Sequence, residues 1–237
     1  MSATPKVEDK YNSDDSQYYI FQNVIQPSKR RKPTVIEERL NSLDISEHIK
    51  QGCFIALADF RKKHHISSFK VKSQNEIIYS CVWKAYYDNN VVVDPKFVLK
   101  LLEFKNKDIS TDQASNKYLA DIRPKPSDFV AFYIDRYISL CEEAKHTFGY
   151  ERSDIINAAV NFIDKITVEI STNKQVTDWL QSNMLTNTVI GMLSFYIIKL
   201  LRNKSWRNDL WSKSCYLTRI CIKTHMDNFE LNYNSAL

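Results

Sequence analysis

Apolar positions recur along this chain at intervals of three and four residues, the spacing that places side chains on one face of an α-helix. Ile36, Leu40 and Leu43 mark a short first helix, and Ile49, Cys53, Ile55, Ala56 and Phe60 mark a longer one within 45–63. From Glu76 to Tyr87 the pattern changes. Ile77, Ile78, Cys81, Val82, Ala85 and Tyr86 recur at helical spacing with Trp83 beside them, so this helix is apolar on most sides and is expected to be enclosed by others. Asp94-Pro95 pairs a capping carboxylate with proline at the first helical position, which predicts a helix through Phe97, Val98, Leu101 and Leu102. Asp108-Ile109-Ser110 opens a fifth.

Arg123-Pro-Lys-Pro126 breaks the periodicity, and beyond it the order of events repeats. Ser127 or Asp128 is expected to cap a helix carrying Phe129, Phe132, Tyr133, Ile134 and Ile138. Ser153 to Thr167 is the next, with Ile155, Ile156, Ala159, Phe162, Ile163 and Ile166. A polar insertion at 171–183 precedes 187–202, which is again apolar almost all round. The segment from Trp211 to Phe229 then reads as the end of a short helix near 208–212, a tight turn, and a helix opening with basic side chains. A helix-turn-helix has that form, with the start of its second helix presented to a DNA major groove. Ile109-Ser-Thr-Asp-Gln-Ala-Ser-Asn-Lys-Tyr118 aligns with Leu217-Thr-Arg-Ile-Cys-Ile-Lys-Thr-His-Met226, with Ala114 opposite Ile222 and Tyr118 opposite Met226. The expected architecture is therefore all-α, two tandem five-helix repeats at 34–122 and 123–237, after a mobile acidic and basic tail at 1–33.

Composition agrees with this pattern: 43% apolar residues with 12% aromatics can fill a core, and three glycines are few for a fold with many tight β-turns. The formal charge of +5 is unevenly spread. Lys199, Arg202, Lys204, Arg207, Lys213, Arg219 and Lys223 face only Asp209 within 199–225, whereas 122–198 holds seven basic and nine acidic side chains. Such a local excess attracts phosphates and releases their counterions; the alternative is a solvated helical face. Lys29, Arg30, Arg31 and Lys32 lie between two prolines and suit a nuclear-import receptor or a phosphate backbone, the alternative being a solubilising basic run, and the expected location is intracellular, with the nucleus included.

The remaining chemistry is sparse. Five cysteines without a Cys-x-x-Cys pair read as reduced core thiols, and the five histidines complete no zinc pattern, so neither metal nor cofactor is expected. No glycine-rich phosphate loop or Gly-x-Ser-x-Gly elbow supports an enzyme. His64-His65 is expected to act as favourable charge at a helix C-terminus, His225 as a surface imidazole, and Trp206 and Trp211 as core anchors. The longest apolar run, 189–201, is interrupted by Lys199 and too short to span a bilayer.

Three segments together carry a resemblance. Glu76-Ile-Ile-Tyr-Ser-Cys-Val-Trp-Lys-Ala-Tyr-Tyr-Asp-Asn-Asn-Val-Val-Val-Asp-Pro-Lys-Phe97, Asn187-Thr-Val-Ile-Gly-Met-Leu-Ser-Phe-Tyr-Ile-Ile198 and Leu217-Thr-Arg-Ile-Cys-Ile-Lys-Thr-His225 resemble, in order and spacing, the core of transcription factor IIB, two cyclin-type repeats. The resemblance spans about 34–231 and implies an initiation factor that binds double-stranded promoter DNA with a TATA-binding-protein-like partner and helps recruit RNA polymerase. By that resemblance Arg219, Ile220, Lys223 and Thr224 would lie at the major groove, with Lys204, Arg207 and Lys213 on phosphates. The family's N-terminal zinc ribbon has no counterpart in 1–33, so polymerase contact is expected through another subunit or surface. Lys223 stands where the family has a DNA-contacting arginine, which favours phosphate binding over guanine readout. Rich use of Asn, Ile, Lys and Tyr suggests an AT-rich genome, and a reduced, divergent copy of this family would suit a large DNA virus or a parasite, with a viral transcription site as the expected location beside the nucleus. Two other classes stay open: a cyclin-like adaptor, although no Met-Arg-x-x-Leu-Val-Asp-Trp opening occurs near 45–63, and a helical interaction module with an apolar groove instead of a basic face.

Overall fold

The computed structural model of the chain describes residues 33–64, 71–105, 107–171, 185–202 and 205–234. Among the described residues there is no strand, and the helices are α1 (Val35–Asn41), α2 (Glu47–His64), α3 (Val71–Asp88), α4 (Pro95–Leu101), α5 (Thr111–Tyr118), α6 (Val130–Glu143), α7 (Arg152–Ser171), α8 (Leu185–Phe195), α9 (Asn208–Ser214) and α10 (Arg219–Asn234). A 3-10 turn, Pro126–Phe129, leads into α6, and a wide π turn, Tyr196–Leu200, extends α8.

Local chemistry accounts for several of these starts. Thr34 caps α1: its hydroxyl accepts from the Glu37 amide at 3.4 Å while the Glu37 carboxylate accepts from the Thr34 amide at 2.6 Å. Arg61 of α2 donates to both side chains, at 2.7 Å to Glu37 and 3.1 Å to Thr34. Asp94 caps α4 by accepting from the Lys96 amide at 2.7 Å, with Pro95 behind it. The entry to α6 differs from the expectation that Ser127 or Asp128 would cap it. Pro126 instead starts the 3-10 turn one residue earlier, and Asp128 reaches back to accept from the Lys125 amide at 2.6 Å.

Helix ends were harder to read, because the left-handed residues that stop them are not glycines. Asn90, Glu103, Lys145, Arg202 and Tyr216 have φ between 47° and 59°. At four of these ends a 6→1 hydrogen bond closes the helix: Val91 N to Tyr86 O at 3.0 Å, Phe104 N to Leu99 O at 2.9 Å, His146 N to Cys141 O at 2.8 Å and Leu217 N to Ser212 O at 3.1 Å. α3 begins five residues before the apolar run that announced it, and α7 extends to Ser171.

The enclosed helices are α3, buried continuously from Ile77 to Trp83, and α8, buried from Thr188 to Phe195. α3 packs most extensively on α2, α8 on α10. Buried apolar residues form two clusters, one drawn from Ile36 to Leu119 and the other from Phe129 to Phe229, and Phe132 packs against both. Between them, Tyr133 donates a buried hydrogen bond of 2.6 Å to the Asp94 carboxylate, and the Phe97 and Phe132 rings meet at 5.5 Å. Burial raises the Asp94 carboxyl above its ordinary pKa, against the lowering effect of the Tyr133 and Lys96 hydrogen bonds.

Candidate nucleic-acid interface

The α9–turn–α10 unit is fixed from beneath by aromatic packing. Trp211 is fully buried, meets Tyr133, Tyr137 and Trp206, and donates to the Ser194 hydroxyl of α8 at 2.8 Å. Trp206 stacks on Tyr137 at 4.0 Å, so both tryptophans are the core anchors expected of them. Ile222, Met226 and Phe229 point α10 inward, and Phe229 lies 5.3 Å from Phe195.

The turn itself is held from the side. Tyr216 takes φ 53° just past α9, and the Arg136 guanidinium of α6 sits 4.4 Å over its ring while donating to the Ser214 carbonyl at 3.3 Å. Thr218 then caps α10, its hydroxyl oxygen accepting from the Cys221 amide at 3.2 Å. Arg136 and its pairing with Tyr216 carried no signal in one dimension: a lone arginine in an amphipathic helix looks like any surface cation.

α10 meets α8 at unusually short range. A Cβ built on Gly191 would lie 2.6 Å from the His225 carbonyl oxygen, so only glycine permits this approach. That contact also corrects the expectation for His225. Rather than a surface imidazole, it is half-buried, and burial followed by the nearby Lys96 charge lowers its pKa below 6.5. His64 needs the same correction. It packs edge-on against Tyr118 at 5.1 Å, and burial, then Lys117 and Lys63, lower its pKa, so it favours the neutral form instead of serving as a terminal cation. His65 lies outside the described residues.

Of the residues singled out for DNA, Lys213 on α9 and Arg219, Ile220, Lys223 and Thr224 on the first turns of α10 are all exposed. Ile220 is 79% exposed, unusual for an isoleucine in a helix so firmly anchored. Among the described residues no carboxylate pairs with Lys213, Arg219 or Lys223. Arg207 is exposed too, but its guanidinium is engaged by Asp209 at 2.6 Å and 3.2 Å, which offsets its charge. Lys199 pairs with Glu230 at 3.4 Å. Lys204, and Lys29, Arg30, Arg31 and Lys32, lie outside the described residues. A recess of about 420 Å³ separates the start of α10 from α9 and the end of α8; Arg219, Lys223 and Lys199 edge it over Trp211 and Ile222.

Other chemistry is thin. Cys53, Cys81, Cys141 and Cys215 are buried and unbridged, and desolvation pushes their thiols up, Cys53 to about 12, which holds them protonated. Cys221 is exposed on α10. Among the described residues no group of three His, Cys, Asp or Glu side chains is placed to hold a metal ion, and no helix is long and apolar enough to cross a membrane. No protein-family model matches the chain, and no curated protein matches it significantly.

Proposed function

We propose that this protein is a transcription initiation factor of the factor IIB type, built from two cyclin-like repeats at 34–122 and 123–237, that binds promoter DNA with a TATA-binding-protein-like partner and helps recruit RNA polymerase. The observation that carries the proposal is the joint display of Arg219, Ile220, Lys223 and Thr224 on the outer face of a helix that follows a short helix and a tight turn. That geometry lets side chains of one helix face reach base edges while neighbouring cations meet phosphates. The duplication draws support from the aligned decapeptides. α5 and α10 begin at matching positions, Thr111 and Arg219, and their first turns close through Ala114 N to Ser110 O and Ile222 N to Thr218 O, which also match. The aligned pairs Ala114 with Ile222 and Tyr118 with Met226 are buried on both sides.

Duplex binding by the full chain in a mobility-shift titration, with and without a TATA-binding-like protein, tests this reading. Each phosphate contact adds about 0.9 to the logarithmic salt slope, so neutralising Lys213, Arg219 and Lys223 together is expected to lower it by roughly 2–3. Unchanged affinity and slope in that triple variant would reject the assignment.

A specific observation favours a second reading, a helical protein-interaction module. A cleft of about 230 Å³ at the join of the two clusters is lined by Tyr79, Trp83, Pro95, Leu119, Ile122 and Phe129. A protein ligand bound there, together with no measurable duplex affinity, would decide for it.

A further inference from the structure

Arg219, Ile220, Lys223 and Thr224 differ in how they stand on α10, and the difference predicts what the helix reads. At about 100° per residue, the buried positions Ile222, Met226 and Phe229 define an inward direction, and Ile220 falls opposite to it. Thr224, one turn on, lies beside Ile220 on the same outer ridge. Arg219 and Lys223 form the adjacent row, turned towards the recess and α9, as their place along its edge with Trp211 shows.

A helix seated in a major groove puts its outer ridge against base edges and its flanks against the phosphate walls. Over its first two turns the ridge carries almost no donor, Asn228 lying one turn beyond Thr224. Ile220 has none, and the Thr224 hydroxyl already donates to the Ile220 carbonyl at 3.0 Å, so this exposed side chain offers a methyl group and oxygen lone pairs instead of a donor. Guanine shows acceptors N7 and O6 in the major groove, which such a ridge leaves unpaired, whereas thymine shows a methyl group that it can cover. Asp227, exposed one turn after Lys223, repels phosphate and confines the contact to the first two turns.

Resting on the DNA-binding reading above, we infer that α10 recognises thymine in duplex DNA through its C5-methyl groups, packed against Ile220 and the Thr224 methyl, while Arg219 and Lys223 hold one phosphate strand. The occupant is duplex DNA, not a protein helix, because the apolar ridge is bordered by two cations that have no carboxylate partner among the described residues. The reading is one of shape and methyl contact, without hydrogen-bonded discrimination of guanine.

The test uses the full chain and duplexes enriched by it from a random pool. Thymines in the enriched duplex are replaced one at a time by deoxyuridine, which removes only the methyl group. The expected result is a roughly fourfold loss of affinity at one or two positions, the factor corresponding to about 0.8 kcal/mol per buried methyl group. Ile220→Ala is expected to abolish that thymine preference and leave the salt slope unchanged. Arg219→Gln with Lys223→Gln should do the reverse. Because Ile220 is solvent-facing, its variant should melt like the parent, which circular dichroism checks. Salt-dependent duplex binding with equal affinity for thymine and deoxyuridine overturns the inference and leaves the DNA-binding reading standing. Failure to enrich any duplex, both without and with a TATA-binding-like protein present, overturns both readings.

Discussion

Gly191 shows how much one missing carbon decides. Every residue around it on α8 is buried, and its empty side lets the His225 carbonyl approach to where a Cβ would sit at 2.6 Å, against backbone that cannot swing away. Gly191→Ala is expected to destabilise the fold by about 1–3 kcal/mol, the usual range for overpacking, and, under the proposed function, to weaken duplex binding by displacing α10. Urea denaturation and mobility shift measure the two effects. Gly52 is milder, since its nearest neighbour would be the Ala85 Cβ at 3.0 Å. At Asp94 the issue is hydrogen bonding. Asp94→Ala leaves the Tyr133 hydroxyl buried without its acceptor and uncaps α4, for an expected loss of about 2–4 kcal/mol. Asp94→Asn keeps an acceptor oxygen for the Lys96 amide but turns an NH2 towards Tyr133, whose hydroxyl must then accept instead of donate; the expected loss in the same denaturation experiment is smaller than for alanine, about 1 kcal/mol.

At the scale of single helices, pH dependence follows from where two imidazoles came to rest. His64 ends α2 and His225 lies midway along α10, and burial lowers both below 6.5 in the folded chain. The unfolded chain therefore takes up these protons first. Their contribution to stability is complete above pH 6.5 and declines as pH falls through the lower folded values. Asp94 has the opposite sign: raised by burial above its ordinary 3.8, it favours the folded state most below pH 3.8 and loses that contribution as pH rises through its folded value. Thermal melting between pH 7.5 and 5.0 should show a falling midpoint, and His64→Phe, which keeps the ring on Tyr118, should flatten it. An unaltered slope in that variant would remove His64 from the account. The helix start at Asp94 was legible because a cap is a contact between neighbours in sequence. The ends at Glu103, Lys145 and Tyr216 were not, because a left-handed stop without glycine leaves no compositional trace.

For the whole molecule, the decisive contacts join α4, α6 and the α9–α10 turn. Arg136 lies 5.9 Å over both Phe97 and Phe132 and 4.4 Å over Tyr216, so one guanidinium ties the first cluster's edge to the turn that aims α10. Arg136→Ala is expected to cost about 1–2 kcal/mol in lost cation–π and packing energy. Duplex affinity should fall as well, although Arg136 is not among the residues assigned to DNA; a loss of stability with unchanged affinity would show that the turn holds its aim without it. The helical class, the two enclosed helices and most of the core were legible in the sequence, since each follows from the 3.6-residue period and from neighbours a few positions apart. Helix packing decided that His64 meets Tyr118, that Gly191 admits the His225 carbonyl, that Asp94 meets Tyr133 and that Arg136 meets Tyr216. These are pairings between side chains set by the packing of whole helices, and hydrophobic periodicity says which face turns inward but not which residue of another helix will be there to meet it.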